Sequence, residues 1–325
     1  MTDATRSDSR RGGGSEIDPA DVDLRVALGD KLALRNPIVT GSGTFASGQE
    51  VDRFFDVRRL GAVVVKSVTV EPRRGLPTPR MAETAAGMLN AIGLQNPGID
   101  AWLAHDLPWL NSHRVPTIVS IAGNTTAEYR HLAERLRDAP GVVAIEANIS
   151  CPNVDDRDIV FACREEATHE AITQVARVSS VPVFAKLTPD VTDISLIAGA
   201  AHEAGATGVS VINTLLGMAI DTETRRPKLA AITGGLSGPA IKPIAVRAVH
   251  QIHEAHPQLP IIGMGGVRSV EDVVELVLAG ASAVAVGTAT FTNPLAALEI
   301  LEGLPSWLAE HGYATLRQLR GAWRR

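Results

Sequence analysis

Eight short β-branched apolar runs punctuate the chain: Pro37–Gly41, Ala62–Lys66, Thr117–Ala122, Val143–Ile149, Val183–Leu187, Gly208–Ile212, Ile261–Gly265 and Ala283–Gly287. They are apolar on both faces, so they predict strands of a parallel sheet covered by helices. Segments of helical period separate most of them. Tyr129, Leu132, Ala133 and Leu136 fall at i, i+3, i+4 and i+7 behind a cap at Thr125 or Thr126. Ile194, Ile197, Ala198 and Ala201 repeat that spacing, with Gly205 as a stop. Ser269 predicts an N-cap, Glu271 and Asp272 suit the first turn, and Val273, Leu276 and Val277 face inward. Eight βα units predict a (β/α)8 TIM barrel in preference to an open doubly wound sheet. Thr69–Val115, with Pro72, Pro77, Pro79 and Pro97, predicts an extended loop excursion over its C-terminal face.

Composition narrows the class. The 325 residues are 45% hydrophobic, which predicts a globular core, and residues 26–325 read as one barrel domain. Residues 1–25 read as a disordered N-terminal tail, and residues 1–16 lack the apolar stretch of a signal peptide. With 31 basic and 36 acidic side chains the net charge is −5, and aromatics are only 4%. Both argue against nucleic acid as a partner. Two cysteines, Cys151 and Cys163, exclude a disulfide scaffold and fit a reducing cytoplasm. Leu276–Leu298 is uncharged and long enough to span a bilayer, but Gly280, Gly287, Asn293, Pro294 and three threonines argue against it. It reads as a buried strand with flanking loops, with no membrane partner.

Barrel chemistry sits at the C-terminal ends of the strands. Those ends carry Gly41-Ser42-Gly43-Thr44, Lys66-Ser67, Asn148 through Asn153, Lys186-Leu187-Thr188, Asn213-Thr214, Gly265-Gly266 and Gly287-Thr288. The two glycine turns close the last two strands, where bare amides commonly bind phosphate; ordinary tight turns are the alternative. No dinucleotide fingerprint or P-loop motif is present, so a mononucleotide cofactor or a phosphorylated substrate is expected. Lys66 and Lys186 would place cations at the mouth, for an anionic substrate or for charge on a reduced flavin. A snorkelling lysine and a Schiff-base aldolase lysine are the alternatives.

Cys151, one step past a strand end and flanked by Asn148 and Asn153, is placed to abstract a proton as a thiolate. Cys163 lacks that setting and reads as structural. Asn90, Asn148, Asn153 and Asn213 suit a planar ring of alternating C=O and N–H groups, or simply turns and caps. Glu146 shares the inward face of Asn148, and Lys186 on the next strand is the expected partner for its buried charge.

Together these residues resemble the dihydroorotate dehydrogenases. The resemblance runs through Asn36-Pro37 to Ser42-Gly43-Thr44-Phe45, Val65-Lys66-Ser67-Val68-Thr69, Asn90 through Gly98, Asn148-Ile-Ser-Cys-Pro-Asn153 and Lys186-Leu-Thr-Pro-Asp190. It continues through Asn213-Thr-Leu-Leu-Gly217, Gly234 through Ala240, Gly263-Met-Gly-Gly266 and Gly287-Thr288. Cysteine at 151, where membrane-bound members carry serine, makes the chain resemble the soluble class 1. The segments around Asn213 and Gly234 are most similar to the NAD-linked class 1B catalytic subunit. The resemblance implies FMN held by Ser42, Lys66, Ser67, Ser120, Asn148, Lys186, Ile212, Gly238, Gly265, Gly266, Gly287 and Thr288. It implies dihydroorotate bound by Lys66, Asn90, Ala91, Ile92, Gly93, Leu94, Asn148, Asn153, Asn213 and Thr214. Cys151 would take the C5 proton while hydride leaves C6, with Lys66 and Asn148 also at the reacting centre. It further implies a homodimer, and a partner subunit with FAD and a [2Fe–2S] cluster completing a heterotetramer.

Two segments depart from that pattern. Ser120 stands where many relatives place asparagine, and Asn153–Glu166 lacks the glycine-rich loop that follows the cysteine in this subclass. Three rivals remain at this point: a dihydropyrimidine dehydrogenase-like flavoenzyme, a Schiff-base aldolase, and a non-catalytic nucleotide-binding barrel.

Overall fold

All eight apolar runs are strands of one parallel sheet in the computed structural model, which describes residues 17–150 and 161–324. They are β1 (Ile38–Thr40), β2 (Val63–Val64), β3 (Thr117–Ile121), β4 (Val142–Asn148), β5 (Val183–Leu187), β6 (Gly208–Val211), β7 (Ile261–Met264) and β8 (Ala283–Val286). Neighbours follow chain order from β2 to β8, and β8 pairs with β1. The last seam, β1 to β2, is closed by a single bridge, Val39 to Ala62, and by a side chain. Buried Thr40 Oγ1 accepts from Val64 N–H at 2.8 Å and donates to Val64 C=O at 3.1 Å, doing the work of a backbone ladder.

Each strand leads to a helix: α1 (Gln49–Asp52), α2 (Ile99–Ser112), α3 (Thr126–Leu136), α4 (Glu165–Ala176), α5 (Ile194–Glu203), α6 (Lys242–Ala255), α7 (Val270–Ala279) and α8 (Ala289–Thr292). A ninth, α9 (Ala296–Glu310), follows. The expected inward faces are buried: Tyr129, Leu132, Ala133 and Leu136 on α3, and Ile194, Ile197, Ala198 and Ala201 on α5. Removing one such leucine from water contributes about 2 kcal/mol, which outweighs any propensity term. Thr125 caps α3 through Glu128 N–H, and Ser269 with Asp272 forms a reciprocal capping box on α7.

A hairpin of Val26–Ala27 and Ala33–Leu34 floors the barrel. Its Leu28, Leu32 and Leu34 pack with Val39, Ala62, Ile118, Ala144, Phe184 and Ile262, interior residues of the strands.

Three expectations are revised. The interval Thr69–Val115 is not only loop. It contains α2 and a hairpin, Met81–Thr84 with Gly87–Asn90. That hairpin joins Thr233–Ser237 and Leu215–Met218, from the β6–α6 connection, in an antiparallel four-stranded sheet. Within the expected tail, residues 17–25 are ordered: Asp18 caps a 3-10 turn, Asp23 N–H donates to Ala314 C=O at 2.9 Å, and Val22 and Leu24 pack on the core. Residues 1–16 lie outside the described residues. Leu276–Leu298 is β8 with the end of α7, α8 and the start of α9 rather than loops. No helix among the described residues is long and apolar enough to cross a membrane.

Candidate functional site

The strand ends and the four-stranded sheet enclose a cavity of about 1540 Å³. The sheet matters because it draws together two connections far apart in sequence. Asn90 pairs in register with Gly235, and Asn90 Nδ2 donates to Gly235 C=O at 3.2 Å. The wall includes Ser42, Lys66, Ser67, Asn90, Ile92, Gly93, Leu94, Asn148, Lys186, Ile212, Asn213 and Thr214. Gly238, Gly265, Gly266, Gly287 and Thr288 complete it on the β7–β8 side.

Lys186 stands on β5 with its side chain 6% exposed. Its Nζ donates to Ser42 Oγ at 3.0 Å and lies 3.5 Å from Glu146 Oε1. The ion pair expected from strand alternation is therefore present, with the ammonium drawn toward the wall. Lys66 reaches the wall differently. Beyond Val64 the chain leaves the β3 ladder, Lys66 N–H donates to Ala46 C=O, and pairing resumes at Val68 opposite Ile121. Gly43 lies beneath that side chain: a Cβ there would sit 3.3 Å from Lys66 Nζ. Two ammonium groups thus line a cavity partly screened from solvent, where an anion gains more than it would in bulk water.

A polar chain spans the strand ends between them. Asn148 Nδ2 donates to Ser67 Oγ at 3.0 Å, and Ser67 Oγ shares a hydrogen with Ser120 Oγ at 2.9 Å. Asn213 Nδ2 donates to Ser150 Oγ at 2.8 Å, and its Oδ1 accepts from Thr214 N–H at 2.8 Å. Buried Tyr129 donates to Asn148 C=O at 2.8 Å and fixes the end of β4 from behind. These contacts hold Asn148 and Asn213 in set orientations with polar capacity to spare.

The β7 and β8 ends supply donors of another kind. Among the described residues, the amides of Gly266, Val267 and Thr288 make no hydrogen bond within the protein. At Gly287 a Cβ would meet nothing nearer than Thr44 Cγ2 at 3.9 Å. Glycine is thus what keeps backbone exposed to the cavity there. The turn at Gly266 is anchored below by Asp272, whose carboxylate accepts from Arg268 N–H, Ser269 N–H and Lys242 Nζ. Asp272 and Glu275 together push the Lys242 ammonium above its usual value. Amides left without a partner at the ends of two barrel strands have the donor chemistry that a phosphate takes.

Not every expected residue reaches the wall. Ser120 is fully buried behind Ser67, and Ala91 is buried between Asn90 and Ile92, which line the cavity in its place, so neither Ser120 nor Ala91 lines it. Cys151 and Asn153 lie outside the described residues. Cys163 is exposed in a 3-10 turn; burial of its sulfur on one side, and then the Asp190 charge, push its thiol above the ordinary value. That is the reverse of an activated nucleophile. Sequence reasoning overlooked Ser237, which accepts from Thr288 Oγ1 at 2.8 Å, and Arg73 and Arg268 at the rim. It placed Tyr129 in the core without asking where a buried hydroxyl would find its acceptor, the one signal available.

Comparison with known proteins is consistent along the chain. The sequence profile of a family described as dihydroorotate dehydrogenase matches residues 27–308. The chain is 51% identical over 289 residues to a protein of Listeria innocua named dihydroorotate dehydrogenase B (NAD(+)), catalytic subunit, covering 89% of this chain and 95% of that one. Proteins of the same name from Anoxybacillus flavithermus and Geobacillus kaustophilus are each 51% identical over 290 residues, covering 89% of this chain and 93% and 92% of theirs.

Proposed function

Because the chain belongs to the dihydroorotate dehydrogenase family, we propose that its barrel mouth holds both FMN and dihydroorotate. The enzyme oxidises dihydroorotate to orotate, a step of pyrimidine biosynthesis. One observation carries the assignment of parts: a single cavity brings bare-amide glycine turns together with the Lys66, Asn148 and Asn213 cluster.

The wall suits FMN. The amides of Gly266, Val267 and Thr288, left without a partner within the protein, would hold the phosphate, and a side chain at Gly287 would fill the space it needs. Lys186 and Ser42, joined at the wall, would help hold the flavin, with Lys186 offsetting negative charge gained there. FMN bound in this way supplies the acceptor for the C6 hydride of the substrate. Lys66 would bind the substrate carboxylate, while Asn90, Asn148 and Asn213 match the C=O and N–H groups of its ring. Cys151 is assigned as the base that takes the C5 proton. The relatives are named as catalytic subunits. We accordingly assign the onward transfer of electrons to NAD to a second subunit, with FAD and a [2Fe–2S] cluster, on a cytoplasmic homodimer of this chain.

The test is optical. Purified protein should show a flavin spectrum that dihydroorotate bleaches anaerobically. A colourless protein, or a yellow one that dihydroorotate leaves unbleached, overturns the assignment. Cys151→Ala should keep its flavin and lose most of its reduction rate at neutral pH, measured by stopped-flow absorbance; near-wild-type reduction removes the cysteine from its role.

A further inference from the structure

Glu146 is a carboxylate buried at the heart of the barrel, and the reaction above gives it no task. Its side chain is 1% exposed, and Oε1 makes no hydrogen bond among the described residues. Lys186 Nζ is 3.5 Å away, an ion pair without a hydrogen bond, and gives one of its three N–H groups to Ser42 Oγ, at 3.0 Å on the cavity wall. In register, Ser120 lies beside Glu146, and Ser210, whose buried hydroxyl is also without a partner, lies beside Lys186. The ammonium therefore stands between two anchors, a neutral one at the wall and a charged one beneath it.

A buried carboxylate needs its cation close, and that cation's field at the wall is reduced by the anion behind it. We propose that Glu146 is a positioning residue that sets how much of the Lys186 charge reaches the flavin, and so holds the flavin's reduction potential below the value lysine alone would give. The inference rests on the FMN assignment made above. Flavin gains negative charge on reduction, so a nearby anion opposes that gain and a nearby cation favours it. Glu146 and Lys186 act as one unit in this account, each limiting the effect of the other.

Spectroelectrochemical titration of the FMN-loaded protein tests it. Glu146→Gln should raise the midpoint potential, so that half-reduction needs a dihydroorotate to orotate ratio several-fold lower than in wild type. Glu146→Asp, which draws the charge back from Lys186, should raise it less. An unchanged or lowered potential overturns the proposal. Should Glu146→Gln fail to fold, the aspartate variant carries that comparison. Thermal melting of the flavin-free protein gives a second reading: Lys186→Met should cost more than the double variant E146Q/K186M, whereas additive losses overturn the pairing. A wild-type protein that takes up no flavin refutes the FMN assignment itself. A yellow, bleachable wild type whose potential is untouched by the Glu146 substitutions refutes only the tuning role.

Discussion

Gly287 and Thr40 illustrate how a single side chain decides between binding and folding. Gly287 has an ordinary backbone conformation, and a Cβ there would meet only Thr44 Cγ2, at 3.9 Å. A larger residue would point into the cavity and not into the fold. Gly287→Leu should therefore melt within a few degrees of wild type as apoprotein, while its FMN affinity, read by flavin fluorescence, falls at least about tenfold. Thr40 is the converse, fully buried and bonded to both polar groups of Val64. Thr40→Val keeps the shape but leaves Val64 N–H and C=O unsatisfied, which should cost about 1–3 kcal/mol in urea unfolding. At this scale the sequence was legible wherever strand alternation alone aims a side chain, as for Lys186, Asn148 and Glu146. Ser120 and Ala91 are buried and do not line the cavity, because reaching the wall depends on which neighbour stands in front. Ser67 and the residues flanking Ala91, Asn90 and Ile92, occupy that place, and no spacing reveals it.

Helix α7 ties the phosphate cradle to the scaffold. Its N3 residue, Asp272, caps the helix, accepts from the amides of Arg268 and Ser269, and pairs with Lys242 on α6. Asp272→Ala should cost about 1–2 kcal/mol for the cap alone. It should also weaken FMN binding, because the Gly266 turn loses its anchor; parallel unfolding and flavin-binding titrations separate the two effects. Cap, first-turn acids and inward face of α7 were all readable locally, as were the eight strands. The four-stranded sheet was not, since Asn90 and Gly235 meet across 145 residues of sequence and their pairing is a tertiary event. Proline in that interval signalled irregular chain correctly but said nothing about what the irregular chain would pair with.

At the scale of the whole molecule, segments near the two ends of the described residues are fastened to the barrel wall. Asp23 bridges to Thr315, and Arg320 donates to Gly280 C=O and Leu259 C=O, both at 2.9 Å. His253 packs beneath this C-terminal segment against Gly280 and Gly321. Burial first, and the Arg320 charge second, push His253 below its ordinary value of 6.5. A histidine depressed in the fold binds its proton more readily when unfolded. Its contribution is therefore complete above about pH 6.5 and is lost as pH falls through that value toward the depressed one. The melting temperature should fall between pH 6.5 and 5, and His253→Gln should flatten that decline in a scanning fluorimetry series. The ordering of residues 17–25 belongs to the same fastening, which a polar N-terminal composition concealed because its docking site lies at the opposite end of the sequence.

The leucine hairpin under the strands packs on their interior residues, so the barrel is plugged and offers no passage from one end to the other. Whatever occupies the cavity at the strand ends must therefore arrive and depart through that same mouth.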